Sequence, residues 1–126
     1  MINQFVDYGL SKNMVGADLQ WEELSEADLQ GANLSRANLR CADLSWSNLA
    51  GANLIGTNLS EANLSGADLT GAALNFADLA GATLIETILH GAILIGANLS
   101  GANLDQADLD EANLSGATMP DGAVHD

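Results

Sequence analysis

The chain has 126 residues, 48% of them apolar and 4% aromatic, with seventeen Asp and Glu against three Lys and Arg, a net charge of −14. A surface so acidic repels the phosphates of nucleic acid, which speaks against direct nucleic-acid binding. The single cysteine, Cys41, excludes an internal disulfide and a cysteine-based metal site.

Residues 1–13 carry Ile2, Phe5, Val6 and Leu10 at spacings that suit a short amphipathic helix or an irregular plug, and they are expected to form an N-terminal cap. No basic stretch precedes a continuous apolar one, and no apolar run is long enough to cross a bilayer, so the expectation is a cytoplasmic protein without a membrane anchor.

From Met14 to Met119 a five-residue period takes over. Leucine stands at every fifth position from Leu19 to Leu114, with a small residue two places before it and usually Asp or Asn directly before it, as in Ala27-Asp28-Leu29-Gln30-Gly31. A period this short marks a quasi-one-dimensional array. In one helix the leucines would spiral around the cylinder, and in a flat strand they would alternate between faces. Every leucine stays on one side only if the chain turns a corner once per repeat, each pentapeptide forming one short side of a closed coil that stacks on its neighbours. Alternation then places the leucine and the small residue two before it inside and the other three outside. The frequent glycine two after leucine, as at Gly31 and Gly66, suits the corner. Ser47, Thr57 and Thr87 are compact stand-ins for the inward alanine, whereas Glu22 at that position must loosen the first coil or be satisfied by the cap, because an unpaired buried carboxylate is costly.

The unit A-(D/N)-L-x-x, repeated from Ala17 to Met119, resembles the pentapeptide-repeat proteins. The resemblance implies an all-β fold, a right-handed quadrilateral β-helix with four pentapeptides per coil, so that residues twenty apart stack in columns. It gives about five coils and a rod of roughly 25 Å at a strand-like spacing of about 4.8 Å. The expected organisation is a cap over 1–13, the β-helix over 14–119 and a C-terminal tail over 120–126. The stretch Ala117-Thr118-Met119-Pro120-Asp121-Gly122 is similar to the end of many cyanobacterial members. In that tail Pro120 lacks an N–H and blunts the exposed edge.

Between Ala82 and Gly96 the polar motif position turns apolar at Ile88 and Ile93, while Ile85 and Ile95 occupy the outward position after leucine. Twenty-residue columns place Ile95 above Asn75 and Ile55, with Phe76 beside them, which gathers Ile55, Phe76, Ile93 and Ile95 into one candidate protein-contact patch with Ile85 and Ile88 nearby in sequence. The competing reading spreads these residues over different faces, where they only add β-propensity. Further on, Asp105, Asp108, Asp110 and Glu111 form a dense acidic cluster with no Lys or Arg after Arg40, which is either a solvated face or a docking surface for a basic partner.

Catalysis has little to build on. His90 and His125, the only histidines, stand beside no recognisable nucleophile motif, and Cys41 is an outward substitution for Gly or Ser. The acids match neither an EF-hand nor a calcium-binding nonapeptide, so no metal or cofactor is expected. The function indicated is a non-enzymatic rigid scaffold or protein-binding module, a monomer or weak homodimer with an unidentified protein partner. The alternative is an acidic DNA mimic resembling the family's fluoroquinolone-resistance members that dock on DNA gyrase. Those are dimers joined through a C-terminal apolar helix, and here only Asp121 to Asp126 follow the last repeat. Ice binding needs a stacked threonine array, and Thr57, Thr70, Thr83, Thr87 and Thr118 share no twenty-residue column.

Overall fold

The structure is a computed structural model that describes residues 12–126. The expected cap helix or plug lies mostly in residues 1–11, outside the described residues. From Asn13↔Asn33 to Asn98↔Thr118, every parallel bridge pairs residues twenty apart, so four pentapeptides make one coil and each side contributes a single bridged residue. We number the sides from the first complete one: 17–21, 22–26, 27–31 and 32–36 are sides one to four, and each recurs every twenty residues. The ladder already includes Asn13, and the Asn33 N–H donates to the Lys12 carbonyl at 2.8 Å.

The hydrogen bonds of one repeat show why the motif reads as it does. The amides of Leu64 and Gly66 donate to the carbonyls of Thr83 and Ile85 in the next coil at 2.7 and 2.9 Å, and Asn63 donates back to Ala42 in the preceding one at 3.0 Å. The Ala67 N–H closes the corner onto the Leu64 carbonyl at 3.0 Å, with Gly66 at φ +68°, the positive value that the third residue of a type II turn requires. Four of the five amides are thereby spent on backbone acceptors. The fifth, on the residue after leucine, goes to the side chain two places back: Ser65 N–H donates to Asn63 Oδ1 at 3.0 Å, and the same bond recurs at Ile55, Ser60, Thr70 and Ser100. Asp and Asn therefore fill the position before leucine because their side-chain oxygen satisfies an amide that no coil neighbour reaches.

One exception follows the same logic. Thr118 carries no carboxyl or amide oxygen, and Pro120 two residues later has no N–H to satisfy. At Ala73, Thr83, Ile88 and Ile93 the acceptor is lost while the amides of Asn75, Ile85, His90 and Ile95 remain. Asn58→Ala, which strips the acceptor from both the Ser60 amide and hydroxyl, should lower stability by about 1–2 kcal/mol. An unchanged denaturant midpoint would mean that water replaces these bonds without cost.

The interior is one continuous column of leucines and small residues. Leu34, Leu54, Leu64 and Leu84 are fully buried, as are Ala32, Ala62 and Ala92. The compact polar stand-ins keep their hydroxyls paired: Thr57 and Thr87 donate to the carbonyls of Leu34 and Leu64, and Ser47 to that of Leu44, each at 2.7 Å. Glu22 is only half-buried, so its carboxylate keeps access to water and the first coil tolerates it. In the last coil Leu104, Leu109 and Leu114 are half-buried, having no full coil above them.

The C-terminal segment differs from the simple tail expected over 120–126. It reverses onto the last coil as an antiparallel arm: Thr118 bridges Val124, Met119 N–H donates to Ala123 O at 2.7 Å, His125 N–H to Ala117 O at 2.8 Å, and Gly116 N–H to His125 O at 2.9 Å. Gly122, at φ +89°, permits the reversal, and its amide closes the turn onto Met119 O. Pro120 joins the stack through its carbonyl, which accepts from Gly101 N–H at 3.0 Å.

Candidate protein-contact surface

From Trp21 to Gly116 every residue two after a repeat leucine has a positive φ, whichever amino acid occupies it. Phe76 and Trp46 both lie at +60° and Arg36 at +57°, beside the glycines of the same columns. An L-residue there costs about 1–2 kcal/mol relative to the right-handed region. The large side chains lean onto the coil that follows. A Cβ added to Gly96 would stand 2.6 Å from the Phe76 ring, and one on Gly56 would stand 3.4 Å from Arg36 Cγ. The glycine twenty residues on is the seat that lets the ring or stem lie flat.

On side four this arrangement leaves a groove of about 390 Å³, lined by Ser35, Arg36, Asn53, Ile55, Gly56 and Phe76. Ile55 is 39% exposed and Phe76 67%. Asn53 faces the groove while its Oδ1 accepts the Ile55 N–H, which fixes that corner. Ile93 bridges Ala73 on the same side and is 37% exposed, and Ile95 follows on the same corner column as Ile55. The register therefore brings Ile55, Phe76, Ile93 and Ile95 onto one side.

Ile85 and Ile88 fall elsewhere. Ile85 lies at the corner of side two, and Ile88 on side three, between Asp68 and Asp108 in its bridge column. Ile85 and Ile95 are also half-buried, not exposed as their outward position suggests. Asp105 lies at the corner of side two in the last coil, and Asp108, Asp110 and Glu111 lie on side three, all exposed and away from the groove. Asp108 has a structural task as well, its Oδ1 accepting the Asp110 N–H at 2.9 Å.

Arg36 is the groove residue that reading the sequence for an apolar patch passes over. Lys12 lies 3.6 Å from Asp28 and Arg40 lies 3.4 Å from Glu61, whereas Arg36 has no ion pair among the described residues. Trp21 and Trp46, exposed on other corners, were also without a sequence-level assignment. A bulky residue two after leucine, with glycine twenty residues later, is the signal that picks out Trp46 over Gly66 and Phe76 over Gly96. Cys41 is half-exposed with its Sγ 3.7 Å from Glu61 Oε1, and His90 and His125 are exposed. Among the described residues no group of His, Cys, Asp or Glu could hold a metal ion, and no helix is long and apolar enough to cross a membrane.

Residues 13–54, 47–84 and 85–119 match the family of pentapeptide repeats, in eight copies. The chain belongs to the pentapeptide-repeat family, and its fold is that family's right-handed quadrilateral β-helix. Among solved structures it is similar to Rfr23, a pentapeptide repeat protein of the cyanobacterium Cyanothece 51142, with 32% identity over 91% of this chain and 92% of that one and a TM-score of 0.85. It is also similar to HetL, involved in heterocyst differentiation regulation in Nostoc sp. strain PCC 7120, with 35% identity over 92% of this chain and a TM-score of 0.44; the chain spans 65% of HetL. QnrB1, a plasmid-mediated fluoroquinolone resistance protein, is 22% identical over 85% of this chain and 69% of its own, with a TM-score of 0.47. No curated protein matches this chain at a significant level.

Proposed function

We propose that the protein is a non-enzymatic scaffold whose stack of about five coils holds side four rigid as a binding surface for another protein. The observation that carries this reading is Phe76: 67% exposed at φ +60°, it occupies a strained corner that glycine fills without strain, and its ring returns little burial in exchange. Ile93 supports it in the same way, since it forgoes an Asx bond worth about 1 kcal/mol to place an isoleucine in water on the same side. Contiguous exposed apolar surface of this kind marks contact sites, and backbone held in successive coils presents it already ordered.

The test compares native-lysate retention on the immobilised wild type with retention on a Phe76→Gly, Ile93→Asn double variant. Both substitutions suit the local backbone, so the fold should hold or tighten while a retained protein is lost. Equal retention on both would remove side four as the surface. The alternative, an acidic rod that docks on a type II topoisomerase, draws on the charge of −14 and the absence of any Lys or Arg after Arg40. Inhibition of gyrase supercoiling by the protein, unaffected by the double variant, would favour it.

A further inference from the structure

We propose that the groove at the corner of side four takes a carboxylate flanked by an apolar side chain on the partner's surface, with Arg36 as the charge anchor and Ile55 and Phe76 as the apolar walls. This rests on the reading of side four as the contact surface and adds what that surface holds. The first support is charge. Seventeen acids surround three bases, yet only Lys12 and Arg40 are engaged by them, and Arg36 stands exposed in the groove with no ion pair among the described residues. On a rod that otherwise repels anions, this is a point of local attraction, and a guanidinium fork fits a carboxylate with two parallel hydrogen bonds.

The second support is what lies beside the guanidinium. Ile55 and Phe76 line the same groove, and the Arg36 stem is held forward against Gly56, so the charge is offered next to apolar surface instead of in open water. A phosphate polymer would satisfy Arg36 equally well. Its neighbouring charges, however, would then lie along the acid-bearing sides within about one Debye length, roughly 8–10 Å, and be repelled. A protein can present one carboxylate among apolar side chains, which is the pattern the groove complements.

Two blocked pentapeptides test this, Ala-Leu-Asp-Leu-Ala and its Asn counterpart, titrated into the full-length protein while backbone amide shifts are followed by NMR. The expected result is shifts at Ile55, Gly56 and Gly96, with the Asp peptide binding about three- to tenfold more tightly, as charge-assisted bonds at an exposed site imply. Arg36→Gln should erase the difference between the peptides, and Ile55→Ser should weaken both alike. Equal binding of the two, or shifts confined to other sides, would overturn the carboxylate preference; if Phe76→Gly still lost the lysate partner, the contact surface would stand and only its chemistry would be wrong. A concentration-dependent doubling of mass abolished by Arg36→Gln would overturn the proposal in another way, by giving the groove to a second copy of the chain.

Discussion

Leu64→Lys is expected to leave no cooperative unfolding transition. Leu64 is fully buried in the middle of the stack, and its amide and carbonyl serve the next coil and its own corner. A lysine there would place a charge in a dry column with no partner, a cost the chain cannot absorb when each coil depends on its neighbours. The milder Leu64→Ala should cost about 3–5 kcal/mol, because the stacked backbone prevents the cavity from collapsing. Leu109→Ala, at a half-buried position in the last coil, should cost less than about 2 kcal/mol by the same reasoning. Chemical denaturation of the three variants checks the gradient; equal losses at Leu64 and Leu109 would mean that the stack does not share its stability among neighbouring coils.

The second large effect separates backbone strain from packing at the corners. Gly51 and Gly66 share φ +67° and +68°, but a Cβ on Gly51 meets nothing within 4 Å, whereas one on Gly66 would stand 2.3 Å from the Trp46 ring. Gly51→Ala should therefore cost only the positive-φ strain, about 1–2 kcal/mol. Gly66→Ala should cost about 1–2 kcal/mol more, since Trp46 must leave its seat and expose apolar area. Trp46 fluorescence reports the movement directly. A red shift in Gly66→Ala but not in Gly51→Ala is the expected result, and identical spectra would show that the ring does not rest on the glycine.

The coil and its inward leucines were legible in the sequence because five is incommensurate with both helix and strand, so a single geometry keeps Leu19 to Leu114 on one side, whereas the twenty-residue register came only from the resemblance to the pentapeptide-repeat proteins. Ile55, Phe76, Ile93 and Ile95 could be placed on one side only through that register. What the pattern could not reveal was where individual hydrogen bonds go. Asn63 and its equivalents read as outward polar fillers, yet their Oδ1 atoms accept amides that no coil reaches. Ile85 and Ile88 are close to Ile93 in sequence but lie around other corners, since each five residues turn the chain onto a new side. The antiparallel return of Val124 and His125 had no periodic signal at all. Arg36 was visible as a base but not as one without an ion pair among the described residues, because pairing depends on which side chains lean together across coils.

Whether the proposed surface on side four meets another protein is decided by site-specific photocrosslinking. A photoreactive phenylalanine analogue placed at position 76 in one protein and at position 46 in another gives two probes at exposed aromatic sites of matched backbone, on different corners. Illumination in native lysate should join the position-76 probe to one discrete protein, the position-46 probe should not capture it, and Arg36→Gln should reduce the yield at position 76. Capture of the same protein by both probes, or by the position-46 probe alone, would contradict the assignment of the contact surface to side four.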